Sequence, residues 1–397
     1  MRQSVPWRGR PVWVEIDLDA VAENVRRVRR LVGPSTAVMA VVKADGYGLG
    51  AAQIAAAARA GGASACAVAC VDEGVQLREV GLDGPILVLG PATPCEMHSA
   101  VTAGLTITVN SLDVGRALAQ AARESGVCAP VHLKLDSGLH RFGRGSDELI
   151  DLASALAQMP GLLLEGLYTH FANADDPLDD FAHRQLACLL ETNRRLEETG
   201  IRFRRLHAAS SSGMLDLPES RLDMVRVGIV LSGHYPSPRA ARMLDLLPAV
   251  TVRARIARLV QIEAGESVGY GRTYRAPTAR TIALVPLGYA DGYHRLLSNR
   301  GVALVGGWRV PVVGRISMDQ LTLDVTDVPN VQEGDEVVIA GRQGGEEIGF
   351  AELAELAGTI SYELLSHLAK RLPRVYLRNG EVTELTTLLG RRPHASS

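Results

Sequence analysis

From Ala37 onward the chain settles into a rhythm of short apolar, β-type runs separated by alanine- and leucine-rich stretches. The runs fall at 38–42, 65–69, 86–89, 106–109, 131–135, 163–168, 204–207 and 224–230. Between them lie segments of helical period, such as 51–60, 113–123, 147–158 and 181–198. Strands alternating with helices predict a parallel sheet. Eight such strands within roughly 200 residues predict closure into a (β/α)8 barrel. An open doubly wound sheet is the alternative, because a strand count does not establish closure.

A strand-like segment at 12–16 and an arginine-rich helical pattern at 19–31 precede this rhythm. After Ser237-Pro238 the texture changes to short β-type runs at 251–262, 281–287, 302–305, 310–313, 321–325 and 336–339, punctuated by Gly306-Gly307, Pro329-Asn330 and Gly344-Gly345. That texture predicts a second, mostly antiparallel β domain. The expected division is a barrel over 12–244, with its first strand shared with the β domain, and a β domain over 245–390. Helical patterns at 350–357 and 362–370 and a last strand at 374–377 fall within that domain. The polar end, 391–397, is expected to be disordered.

Composition narrows the function. The 397 residues carry a formal net charge of -2, so no bulk attraction to nucleic acid or to an anionic membrane is implied. Five cysteines, Cys66, Cys70, Cys95, Cys128 and Cys188, are too scattered for a disulfide framework. Cys66 and Cys70 share an apolar segment without a zinc-completing partner and read as buried free thiols. The N-terminal residues lack the apolar core of a secretory signal, and no uncharged stretch approaches the ~18 residues of a membrane span. A cytoplasmic protein in a reducing compartment is the expectation.

The chemistry gathers at strand ends. Lys43 closes the first apolar run and is followed at once by Gly46, Tyr47, Gly48 and Gly50. A lysine walled by apolar residues is costly to keep charged, and such a lysine forms Schiff bases with carbonyl compounds. A lysine reaching solvent is the plainer alternative. Lys134 and Asp136 end the fifth run, His170 follows the sixth, His207 closes the seventh and Arg226 lies in the eighth. In a barrel all would converge on one mouth. Ser210–Gly213 and Gly228-Ile229 follow the seventh and eighth strands, where barrels of this kind bind phosphate. A Schiff-base lysine with a phosphate cradle points to pyridoxal 5′-phosphate, held by Lys43, Ser211, Gly228 and Ile229. Arg226 could face the pyridine nitrogen, where a fixed cation opposes ring protonation and favours simple proton return. A salt bridge to Asp223 is the alternative for Arg226.

At this point the chain resembles the pyridoxal-phosphate-dependent alanine racemases, from about Trp13 to Leu377. The resemblance rests on AVVKADGYGLG (40–50), HLKLDSGLHRFG (132–143), GLYTHFANAD (166–175), VRVGIVLSG (225–233), ESVGYGRTY (266–274), PLGYADG (286–292), VGRISMDQ (313–320) and ISYELLSHLAKRLPRVY (360–376). It implies a fold-type III enzyme, a barrel followed by a β domain. It also implies a homodimer with the active site shared between subunits, and interconversion of L- and D-alanine for peptidoglycan.

By the same resemblance Lys43 binds the cofactor and is the base for the D-enantiomer, and Tyr270 of the other subunit is the base for the L-enantiomer. Racemisation needs two positioned acid/base groups, one on each face. A network from Tyr270 through His170 to Arg226 is implied, with His207 on the cofactor side. Tyr47, Ser211, Gly228, Ile229 and Tyr362 match phosphate ligands. Arg141 and the Met318 backbone match contacts to the substrate carboxylate. Lys134 matches a lysine often carbamylated, and Tyr289 and Tyr362 match the narrowing of the access channel. Leu49, Ser210, Val227 and Ser232-Gly233-His234 depart from the family's usual residues. The rivals are a decarboxylase of basic amino acids, which would carry an acid where Arg226 stands, a racemase of serine or basic amino acids, and a cofactor-binding protein without turnover.

Overall fold

The structure, a computed structural model, describes residues 9–176 and 178–393. Eight parallel strands form one sheet: Ala37–Val41, Ala65–Val68, Ile86–Val88, Thr106–Val109, Ala129–Lys134, Leu162–Tyr168, Arg205–His207 and Met224–Val227. The first strand pairs with the eighth in parallel, from Ala37 opposite Met224 to Ala40 opposite Val227. That pairing excludes the open doubly wound sheet. The remaining seam, between the seventh and eighth strands, is bridged by Asp223 N–H to Leu206 O at 3.1 Å and Arg226 N–H to Ala209 O at 2.9 Å. The eighth strand is shorter than its apolar run. It ends at Val227, and Ile229–Ser232 turns into a 3-10 helix after Gly228.

Alternation along the strands sorts side chains between the helical shell and the barrel interior. Val38, Ala40, Cys66, Val68, Ile107, Val109, Val131, Leu133 and Val225 join the large core under the helices. Their neighbours point inward. On the first three strands and the start of the eighth these are Met39, Val41, Ala65, Ala67, Leu87 and Met224, a separate apolar cluster. On strands four to eight they are Thr106, Thr108, His132, Lys134, Tyr168, His207 and Arg226, all buried. Half the barrel interior is therefore polar.

The strand Val12–Asp17 is wholly buried and belongs to the other sheet. It runs antiparallel to Val250–Arg255 and parallel to Arg374–Arg378, so this strand lies in the middle of the C-terminal layer. Asp17 then caps the helix Leu18–Val32, accepting from Asp19 N–H and Ala20 N–H at 3.0 Å each. Arg253 ties this layer together from inside, binding Glu15 at 2.8 Å and Glu336 at 2.6 Å.

Three expectations need correction here. The run at 251–262 is two strands in two sheets, Val250–Arg255 and Arg258–Ile262. Its β-type pattern continues across the change of sheet and hides it. The polar end is ordered further than expected: Glu381–Thr387 and Gly390–Pro393 form a hairpin on the sheet edge, while 394–397 lie outside the described residues. An edge hairpin has one solvated face and shows no apolar run. Cys66 is buried as expected, but Cys70 is exposed, because the strand stops at Val68. No helix among the described residues is long and apolar enough to cross a membrane.

Candidate active site

A cavity of about 920 Å³ opens at the carboxyl ends of the barrel strands. Its lining includes Lys43, Tyr47, Lys134, Arg141, His170, Ser211, Arg226, Gly228, Ile229 and Tyr362. Ten residues singled out in the sequence thus meet in one place. His207 stands directly behind them, wholly buried.

Lys43 follows the first strand by two residues and begins a tight turn. Ala44, Asp45, Gly46 and Tyr47 all take left-handed conformations, with φ between 53° and 64°. Such conformations are costly for residues other than glycine and persist only where the surroundings hold them. Glu73 does much of the holding. Its two carboxylate oxygens accept from Ala44 N–H and Ala69 N–H, each at 2.7 Å, and so join the ends of the first two strands. Asp45 closes the other side by accepting from Ala51 N–H at 3.0 Å. Burial, and then the cation of Arg141, push the Lys43 pKa down, against the pull of Glu73.

Arg226 is the electrostatic centre. Its guanidinium donates to Thr169 O and Ala208 O at 2.8 Å each, to His207 Nδ1 at 2.7 Å and to His170 Nδ1 at 3.2 Å. The salt bridge to Asp223 does not form, because the Asp223 carboxylate accepts from Leu206 N–H instead. Burial lowers the Arg226 pKa to about 10, which leaves it cationic at neutral pH. Burial, followed by the charges of Arg226 and Lys134, drives His170 down to about 3. His170 is thus neutral. Its Nδ1 accepts from Arg226, so its proton sits on Nε2 and can be donated.

Lys134 is buried, with Nζ 5.2 Å from the Phe142 ring centre and 5.7 Å from that of Tyr168. Burial and the cations of Arg226 and Arg141 bring its pKa to about 8. Across the mouth, the Tyr47 and Tyr362 rings approach to 6.0 Å. The Tyr47 hydroxyl lies so close to Gly228 that any side chain at 228 would overlap it. Gly228 N–H donates to Ser211 Oγ at 3.3 Å, joining the loops after the seventh and eighth strands.

Asp136 does not join the cavity. Its carboxylate accepts from Gly138 N–H and His140 N–H and caps its own loop. Tyr270, Tyr289 and Met318 also lie outside the lining. They are 72%, 41% and 54% exposed. Tyr270 sits at the tip of a hairpin between Ser267–Val268 and Tyr274–Arg275, with Gly269 and Gly271 at φ 73° and 69°. Tyr289 and Met318 are neighbours: Tyr289 N–H binds Ser317 O at 3.1 Å and Ala290 N–H binds Met318 O at 3.0 Å.

Sequence reading missed Tyr168, His132 and Glu73. Tyr168 stacks on His207 at 4.7 Å and 6°, and its hydroxyl meets Thr108 Oγ1 at 3.0 Å. The alternation of polar with apolar residues in VHLK was a signal for His132. Nothing local marks Glu73, whose partners are 29 and 4 residues away.

Comparison with known proteins agrees with this arrangement. The family model described as alanine racemase, N-terminal domain matches residues 16–236, and that described as alanine racemase, C-terminal domain matches 249–376. The chain is 44% identical to an alanine racemase of Symbiobacterium thermophilum over 367 residues, covering 92% of this chain and 97% of the relative. It is 43% identical to one of Desulforamulus reducens over 370 residues, covering 92% and 99%. Among solved structures, the alanine racemase of Bacillus anthracis with bound L-Ala-P superposes with a TM-score of 0.90 at 36% identity, covering 97% of this chain and 99% of that one. The alanine racemase of Clostridium difficile 630 in complex with cycloserine gives 0.89 at 33%, covering 96% and 99%. With both halves matched and identity this high over nearly the whole length, the chain belongs to the alanine racemase family of isomerases.

Proposed function

We propose that the chain interconverts L-alanine and D-alanine in the cytoplasm, supplying D-alanine for peptidoglycan, with pyridoxal 5′-phosphate bound through Lys43. The observation that carries this reading is the meeting of Lys43 and Arg226 in one cavity, the lysine with its charged form disfavoured and the arginine bonded to carbonyls and imidazoles. The residues fit the cofactor. With no side chain at Gly228 the Tyr47 hydroxyl lies against its backbone, and Tyr47, Ser211 and Tyr362 line the same cavity. Tyr47, Ser211, Gly228, Ile229 and Tyr362 would hold its phosphate, and Arg226, backed by His207, its ring nitrogen. When bound, pyridoxal phosphate supplies an electron sink that acidifies the α-proton of an amino acid.

The protein then has to move protons on two faces. Lys43 takes or returns the proton on the D side, and Tyr270 of a second copy does so on the L side. The exposure of Tyr270 and its absence from the cavity lining of its own chain support a site completed in a homodimer. His170 offers its Nε2–H toward the cavity, the polarity that a base oxygen needs. Arg141 and the Met318 backbone hold the substrate carboxylate, and Tyr289 and Tyr362 narrow the access. Carbamylation of Lys134 removes a buried cation from beside Arg226 and Arg141 and leaves an anion that orients Arg141. Decarboxylation of basic amino acids is disfavoured by the same cation at Arg226, since a protonated ring stabilises a carbanion better.

Two measurements test the reading. Borohydride reduction of the holoenzyme should fix the cofactor on Lys43, and a label on another residue overturns the site. Assays with L-alanine, L-serine, L-lysine and L-arginine should show alanine racemised fastest, and a clear preference for another substrate overturns the assignment.

A further inference from the structure

The polar half of the barrel interior has a direction built into its hydrogen bonds. Arg226 Nη1 lies 2.7 Å from His207 Nδ1. A guanidinium only donates, so His207 Nδ1 accepts and that ring carries its proton on Nε2. His207 Nε2 lies 2.9 Å from His132 Nδ1. His132 Nδ1 therefore accepts in turn, and its proton sits on Nε2, which faces Glu165 Oε2 at 3.8 Å. One cation at the barrel mouth thus sets the tautomer of two buried rings in sequence.

Several features of the fold make room for this arrangement. Gly166 faces the His132 ring so closely that a Cβ there would stand 2.5 Å from Cε1 and Nδ1. The ladder between the fifth and sixth strands slips at Val131/His132, beside the ring. Tyr168 lies flat on His207 and clamps it from the side. His132 and His207 are 3% and 0% exposed, so water does not compete for these bonds.

We propose that His132 is a positioning residue for Arg226, acting through His207. Without an acceptor at His132 Nδ1, the buried His207 Nε2–H is left without a partner. The ring then turns to find an acceptor, its Nδ1 draws away from Arg226 Nη1, and the guanidinium, held only through Nη2, tilts. Glu165 holds the far end by attracting the His132 Nε2 proton. The inference rests on the reading that Arg226 faces the ring nitrogen of the cofactor.

The test uses holoenzyme labelled with 15N at histidine, as wild type, His132→Asn and His132→Leu. Asparagine keeps an acceptor near the Nδ1 position, and leucine keeps bulk without one. At about pH 7 both wild-type rings should be neutral, with Nδ1 bare and Nε2 protonated. The leucine variant should shift the His207 Nδ1 resonance away from its hydrogen-bonded wild-type position and fall about tenfold or more in kcat with KM little changed, and the asparagine variant should recover most of both changes. A wild-type His207 with its proton on Nδ1 overturns the proposal, as does a leucine variant with native kcat or an asparagine variant no better than leucine. Should the leucine variant fail to fold, the wild-type spectrum and the asparagine variant still decide. A wild type that does not racemise alanine overturns the reaction reading instead, and the nitrogen shifts still report the ring orientations.

Discussion

The two residues read as proton handlers, Lys43 and Tyr270, occupy opposite surroundings. Lys43 leaves the barrel on a strained left-handed turn, pinned by Glu73 and Asp45 and lined up with a buried network of polar groups. Tyr270 stands in the open on a two-stranded hairpin, held by little beyond glycine-permitted backbone. The barrel mouth is finished and the β domain's contribution is not. A residue that must act at a neighbour's site has to be exposed on its own chain, so the contrast is what a shared site requires.

The largest effect should come from breaking both sides of this contrast. Lys43→Ala and Tyr270→Phe should each lower racemisation by about 10²–10⁴-fold or more, the range of a positioned acid/base group. Lys43→Ala should also abolish the borohydride-fixed label, and Tyr270→Phe should leave it intact. Mixing the two inactive variants sharpens the point. A mixed dimer carries one site with both residues and one with neither, so it should regain about half the activity of a wild-type dimer. If each chain used its own Tyr270, every site would carry one lesion and mixing would restore nothing.

A smaller effect should follow at Glu73, on the finished side. Glu73→Ala removes two charge-assisted bonds, to Ala44 N–H and Ala69 N–H, each worth about 1.5–3 kcal/mol. The left-handed turn then loses the contact joining it to the second strand. We expect re-incorporation of pyridoxal phosphate into apoenzyme to slow about tenfold, with Glu73→Gln intermediate because it keeps one acceptor. Stopped-flow absorbance would measure it. A variant that takes up cofactor at the wild-type rate would show that the turn holds itself.

Much of the barrel was legible because its strands obey a local rule. The apolar, β-type runs placed seven of the strands within about two residues at each end, while the eighth, read as 224–230, stops at Val227. The gathering of Lys43, Lys134, His170, His207 and Arg226 followed from barrel geometry, since strand ends of a closed sheet share a mouth. What was not legible depends on contacts between distant segments. Glu73 has no motif, and its role exists only once the first two strands lie side by side. Asp136 looked like its neighbours at strand ends, yet a two-residue difference in loop position turned its carboxylate to backbone N–H groups. The hairpin ending at Pro393 reads as a polar tail because edge strands can be stable with one wet face.

The smallest expected effect concerns acid, and it separates the two regions by what they bury. The barrel side holds histidines neutral: burial lowers His170 to about 3 and His234 to about 4, and pushes His132 and His207 down as well. In the unfolded chain a histidine titrates near 6.5. Above that pH both states are neutral and the term vanishes. As pH falls below about 6.5, the unfolded state takes up protons that the folded barrel refuses, so stability drops toward pH 4. His234 is suited to isolate this term, because it packs edge-on against Phe350 at 5.3 Å and lies outside the cavity lining. It keeps part of its surface in water, so its share between pH 6.5 and 5 should be about 1 kcal/mol. Urea denaturation at pH 7 and pH 5 should therefore show a steeper loss for wild type than for His234→Gln. Equal slopes would move the acid sensitivity to the carboxylates and leave the buried histidines without a part in it.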